Sequence, residues 1–169
     1  MRRVVVVLGL LAAGCGFHTA AAPTSPAVGD ASRMDMCTVL TDSELARLGI
    51  ELDSRKPVNE LGSVGCGSRG SHITLDLERD NESLASYQAR RNSPAFTSFV
   101  DNTVNGRPGA RLSVDRDRDD CTQLMDGGPV SLSVSVAPAG LYSGSQIDSC
   151  AEAMRIAQVI EPRLPRAES

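Results

Sequence analysis

Between Ser71 and Arg79 the chain alternates Ile73, Leu75 and Leu77 with Thr74, Asp76 and Glu78, the period-two signature of a strand with one face buried. The period returns at Val130, Leu132, Val134 and Val136, so these four are expected to face a core and Ser131, Ser133 and Ser135 to face water. Cys121 to Met125 precedes that run, and Asp126, Gly127, Gly128 and Pro129 between them predict a hairpin. Asn105 and Gly106 predict a second hairpin turn. It separates a segment carrying Phe96, Phe99, Val100 and Val104 from a strand over Ala110 to Val114, and Pro108 predicts an edge or a bulge there.

Helical spacing alternates with these strands. Thr41 and Glu44 form a capping box, Leu40 can staple onto Leu45, and Gly49 suits the position after the last turn. A second helix is expected from Asn81 toward Arg91, with Leu84 and Tyr87 inward, ending before Pro94. Ile147, Cys150, Met154, Ala157 and Ile160 fall on one helical stripe that Pro162 closes. The order helix, strands, helix, strands, helix predicts an α+β fold, a mainly antiparallel sheet with helices packed against it.

The N-terminal apolar run is of another kind. Arg2 and Arg3 precede Val4 to Ala13, ten residues interrupted only by Gly9, where a membrane-spanning helix needs about 20. A charged start and a short apolar run predict a signal peptide over residues 1–14. The following Ala12, Ala13, Gly14 and Cys15 resemble the lipobox of bacterial lipoproteins, with Ala12 where Leu is usual and Leu11 one place earlier. That resemblance implies cleavage before Cys15 and diacylation of its thiol, two acyl chains being enough for stable anchoring. Residues 15–34 then read as the lipidated cysteine and a flexible tether, because Gly16 to Met34 holds almost no large apolar side chain. Residues 35–165 read as a single domain and 166–169 as a tail.

Charge and composition narrow the function. The net charge is −4, and without Arg2 and Arg3 the remaining 15 basic residues face 21 acidic ones, for −6; no basic footprint for nucleic acid is present. Aromatic residues make up 3% of the chain and Trp is absent, so the core is expected to be aliphatic.

These landmarks together resemble family 3558 of domains of unknown function, found in actinobacterial lipoproteins. The resembling residues are Asp35, Cys37, Leu40, Thr41, Glu44, Leu45, Leu48 and Gly49; Gly65 and Cys66; Asn105 to Pro108; Cys121; and Asp148, Cys150, Ala153 and Ala157. Where an aromatic residue often follows the Gly-Cys pair in that family, Gly67 and Ser68 stand here. The resemblance implies an exported lipoprotein and carries over no catalytic residues. Setting Cys15 aside leaves Cys37, Cys66, Cys121 and Cys150, a number that can pair completely in three ways. We expect Cys37 with Cys66 and Cys121 with Cys150, each tying a helix to a strand nearby in sequence.

Four further patterns invite chemistry. Gly65, Gly67 and Gly70 fit G-x-G-x-x-G, but a dinucleotide site needs a strand before and a helix after it; a glycine-rich turn around a disulfide is the expectation. Asp115, Asp117, Asp119 and Asp126 match four positions of a calcium loop as weak candidates, although Asp120 replaces the glycine of the sharp turn and Arg116 and Arg118 intervene. His72 is the only imidazole of the expected domain, and no G-x-S-x-G elbow accompanies it. Asp76 and Glu78 share a strand face, where a glycosidase would need them in a cleft.

No cofactor is called for. The expected function is that of a lipid-anchored, extracytoplasmic binding or accessory module of the cell envelope. Its partners would be the membrane through the anchor and an envelope protein, glycan or small ligand, not nucleic acid. The contact surface would include the Gly62 to Gly70 turn and the Asp115 to Asp120 loop. The alternative is an envelope hydrolase assembled only in three dimensions around His72 and nearby carboxylates.

Overall fold

The capping box forms as the sequence predicts. Thr41 Oγ1 accepts from the Glu44 N–H at 3.3 Å, and Glu44 Oε2 accepts from the Thr41 N–H at 2.8 Å, opening helix α1 (Asp42–Arg47). The computed structural model describes residues 28–114, 119–140 and 147–166. Within them lie seven strands: β1 (Lys56–Glu60), β2 (Ser63–Arg69), β3 (Ile73–Asp80), β4 (Ser98–Val104), β5 (Arg107–Ser113), β6 (Cys121–Asp126) and β7 (Ser131–Pro138). Helix α2 (Leu84–Ala89) joins β3 to β4, and α3 (Ser149–Ile160) follows β7. The second helix is shorter than expected at both ends, because Ser83 caps it by accepting from the Ser86 N–H.

All pairings are antiparallel, in the order β1-β2-β3-β7-β6-β5-β4. Two meanders, β1-β2-β3 and β4-β5-β6-β7, therefore join where β3 meets β7. Asn105 and Gly106 both adopt positive φ, 50° and 88°, the requirement of the tight turn between β4 and β5. Pro108 does not mark an edge strand, since β5 lies between β4 and β6; its pairing with β6 begins only at Gly109, so the missing N–H costs no ladder bond.

One face of the sheet is closed. Leu75, Leu132, Val134 and Met125 are fully buried there with Ile156, Ala157 and Ile160 of α3 and Leu45 of α1 in a single apolar cluster. Each fully buried Leu contributes roughly 1.5–3 kcal/mol relative to exposure. Both disulfides, Cys37–Cys66 and Cys121–Cys150, lie on this face with Cα atoms 5.0 Å apart. One staples the turn before α1 to β2, and the other staples α3 to β6. Arg107 is sealed there too. Its guanidinium bonds Glu161 Oε1 at 3.2 Å, the Asp126 carbonyl at 2.8 Å and the Pro165 carbonyl at 2.9 Å, with both ion-pair side chains 1% exposed.

Three expectations are corrected. The segment Gly62 to Gly70 is not a turn: Ser63–Arg69 is an internal strand between β1 and β3, and the turn is Leu61 and Gly62 with φ of 50° and 95°. Ser131 and Ser133 do not face water but are buried, Ser133 beneath the wall that Tyr87 and Phe96 raise over part of the second face. Residues 28–34 do not behave as tether. Val28 bridges Arg166, the Gly29 N–H donates to the Pro165 carbonyl, the Ala31 N–H donates to Gly127, and Ala31 is 1% exposed. Arg166 thereby belongs to the fold as well, its guanidinium reaching Glu161 at 3.2 Å.

Candidate functional site

The second face of the sheet is where side chains leave room. Reading the register across it, Gly65 stands opposite Glu78, Glu78 opposite Ser133, Ser133 opposite Leu124 and Leu124 opposite Ala110. The neighbouring row runs Gly67, Asp76, Ser135, Thr122 and Leu112. Residues directly opposite share a face, so each row carries small side chains around one carboxylate. The floor sinks between them.

The wall comes from α2 and the segment after it. Leu84, Ala110, Leu112 and Leu124 are buried as a small second cluster against Tyr87, Phe96 and Phe99. The Phe96 ring lies 6.3 Å from Tyr87 and 5.6 Å from Phe99, centroid to centroid. The chain holds two Tyr and three Phe, and three of these rings meet here rather than in the main core. Between this wall and β3 runs a groove of about 460 Å³, with Ser63, Glu78 and Asp80 at one end, Ser133, Ser135 and Thr122 along the floor, and Phe96, Leu112 and Val114 at the other end.

The acidic end is electrostatically tense. Burial pushes the Glu78 carboxyl above the ordinary carboxylate range, the charges of Asp76, Asp80 and Glu60 push it the same way, and the Ser63 hydroxyl bonded to it only partly opposes them. Burial raises Asp76 as well. Asp80 accepts a short hydrogen bond from the Tyr87 hydroxyl. Burial first, and that bond second, hold the phenol proton well above its usual value. Arg90 lies over the Tyr87 ring at 4.6 Å and donates to Glu82 at 3.0 Å. Ser133 is 7% exposed, and its hydroxyl has the Glu78 carbonyl at 3.5 Å as its partner, beyond the usual reach of an O–H···O bond.

The structure brings some of the candidate residues together and separates others. Glu78 lines the groove, which the alternation of its strand could not reveal, whereas Asp76 lines a neighbouring hollow of about 410 Å³ with Lys56 and Arg69. His72 does not join them; it is exposed in the connection between β2 and β3, six residues or about 20 Å along the strand from Glu78. Gly65 and Gly67 have a reason unrelated to nucleotides. A Cβ at Gly65 would meet the Leu77 carbonyl at 2.0 Å, and one at Gly67 would meet Asp76 Oδ1 at 2.7 Å. Their bareness keeps β2 close to β3 and leaves the two carboxylates uncovered from that side.

Of the four calcium-loop candidates, the structure separates the two that it describes. Asp115 and Asp117 lie outside the described residues, while Asp119 precedes β6 and Asp126 ends it. An extended strand holds these two about 20 Å apart, and Asp126 Oδ1 already accepts from the Gly128 N–H at 2.9 Å. Among the described residues no three His, Cys, Asp or Glu side chains are grouped to hold a metal. Cys15 also lies outside the described residues.

Compared with known families, residues 10–163 match the model described as protein of unknown function (DUF3558). No curated protein and no solved structure matches the chain.

Proposed function

The chain belongs to the DUF3558 family, and from that premise we propose that it is a membrane-anchored extracytoplasmic lipoprotein, a non-catalytic binding or accessory module of the cell envelope whose binding surface is the groove. The observation that carries this reading is the cross-sheet row of Gly65, Glu78, Ser133 and Leu124, which opens a ligand-sized hollow walled by Tyr87 and Phe96. Pockets of about 300–1,000 Å³ with a few polar groups among apolar ones are the usual form of a small-ligand site.

The address rests on separate support. Both disulfides suit an oxidising compartment. They use every cysteine except Cys15, which follows the short apolar run and small residues of a lipoprotein signal. Among the described residues no helix is long and apolar enough to cross a membrane. The partner is the membrane through the anchor, together with an envelope protein, glycan or small ligand.

A photo-crosslinking residue at Ala95 on the groove rim, compared with one at the exposed Ala151 of α3, tests the surface in cells. Adducts specific to position 95 are expected; equal adducts at both positions overturn the reading. Fatty-acid labelling lost in Cys15→Ala tests the anchor, and equal labelling of the variant removes Cys15 as the lipid site. The hydrolase alternative keeps one supporting observation, a groove carboxyl, Glu78, that holds its proton more tightly than usual, as a general acid does. Turnover of envelope glycans or esters that Glu78→Gln abolishes replaces the binding reading.

A further inference from the structure

We infer that the groove takes a small organic cation, a molecule whose ammonium group sits beside Glu78 and whose apolar body lies against Phe96 and Leu112. This rests on the groove being the binding site and goes on to name the chemistry of its ligand.

Charge is the first argument. Glu78 is surrounded by Asp76 and Asp80 on its own strand and by Glu60 from β1, and among the described residues no Arg or Lys forms an ion pair with Asp76 or Glu78. Arg90, the cation among the lining residues, is engaged by Glu82 and by the Tyr87 ring. An anion entering here meets uncompensated carboxylates, whereas a cation relieves their mutual repulsion. Burial and, after it, this same repulsion make Glu78 hold its proton tightly, and an ammonium takes the place of that proton.

Hydrogen-bonding capacity is the second. The Ser133 hydroxyl is more than nine-tenths buried, lines the groove, and has only the stretched contact to the Glu78 carbonyl. It leaves an acceptor lone pair beside the carboxylate, and a primary ammonium brings three donors to such a place. Gly65, opposite Glu78, puts no side chain in the way.

Shape supplies the third. From β3 to β5 the groove crosses β7 and β6, three inter-strand steps or about 14 Å. One end is acidic and the other is Phe96, Leu112 and Val114. A ligand filling it carries its charge and its apolar group at opposite ends, and the volume of about 460 Å³ is that of a small molecule, not of a docked protein.

The test uses the full chain with its disulfides intact, titrated with 4-phenylbutylamine, 4-phenylbutanol and 4-phenylbutyrate and followed by backbone amide shifts. The amine is expected to saturate shifts at Glu78, Ser133 and Phe96, with the alcohol and the acid at least about tenfold weaker. Glu78→Gln should weaken the amine by about tenfold or more without lowering Tm, and Phe96→Leu should weaken the amine and the alcohol alike. If the acid or the alcohol binds the groove as well as the amine, or Glu78→Gln leaves amine binding unchanged, the cation assignment is overturned while the groove stands as a binding site. If none of the probes shifts a groove residue, the groove reading falls together with it.

Discussion

The two faces of one sheet are built on opposite rules. On the closed face Leu75, Leu132 and Val134 are fully buried under α1 and α3, both disulfides cross it, and even an arginine is sealed in with its partners. On the other face the same strands present Asp76, Glu78, Ser133 and Ser135, sheltered only in part by α2 and three rings. Stability and recognition are thereby divided between alternate residues of the same strands. A substitution at one position and its neighbour should have consequences of different kind.

The largest effect is expected at Arg107. Arg107→Ala leaves Glu161, 1% exposed, charged without its main partner, and breaking a buried pair from one side costs about 3–5 kcal/mol; chemical denaturation measures this as a lower midpoint. Next comes the double variant Cys121→Ser with Cys150→Ser. With the partners 29 positions apart in sequence, the chain-entropy model gives a loss of roughly 3–4 kcal/mol, and the groove ligand should bind the folded fraction unchanged. Leu75→Ala and Leu112→Ala then compare the faces directly. The first empties a fully enclosed site and should cost about 3 kcal/mol, while the second, where the groove lets neighbours and water adjust, should fall near the low end of the usual 2–5 kcal/mol range. Equal losses would show that the grooved face is as rigidly packed as the closed one.

The smallest effect has the opposite sign. Burial raises the carboxyls of Asp76 and Glu78, so the native state holds protons that the unfolded chain releases. Their contribution to stability therefore grows as pH falls from neutral through the raised native values toward the ordinary carboxylate range, and is lost as pH rises again. Glu78→Gln should stabilise the domain at neutral pH by up to about 0.5 kcal/mol and flatten that part of the Tm against pH curve. A destabilised Glu78→Gln would mean that the ionised carboxylate is held by the fold and not merely tolerated.

How far the sequence foretold this depends on where the burying partner comes from. The helix at Thr41, the alternation of β3, the Asn105–Gly106 turn, the stripe of α3 and the cysteine pairing were legible because each is decided by residues close in the chain. The strands β1 and β2 were not, since Pro57, Gly65 and Gly67 break the apolar alternation, and β2 is held by its neighbours rather than by its own pattern. The alternation alone points Ser133 to water because the side chains that wall it in, Tyr87 and Phe96, lie about 40 residues away. The groove itself combines residues of β2, β3, β5, β6 and β7 with the α2 segment, a juxtaposition that only the register creates. One compositional signal did point to it: in a chain so poor in rings, Tyr87, Phe96 and Phe99 fall within thirteen residues.

The bridge between Val28 and Arg166 gives the domain a nearly circular path, entering and leaving at the same end of the sheet beside the Gly127 turn. Such a fold has little stake in where its covalent chain is cut. A short linker from 166 to 28, with new termini opened at the fully exposed Leu61, would preserve the central pairings and leave the grooved face intact. The same adjacency lets a second module be spliced in at that end without interrupting a strand.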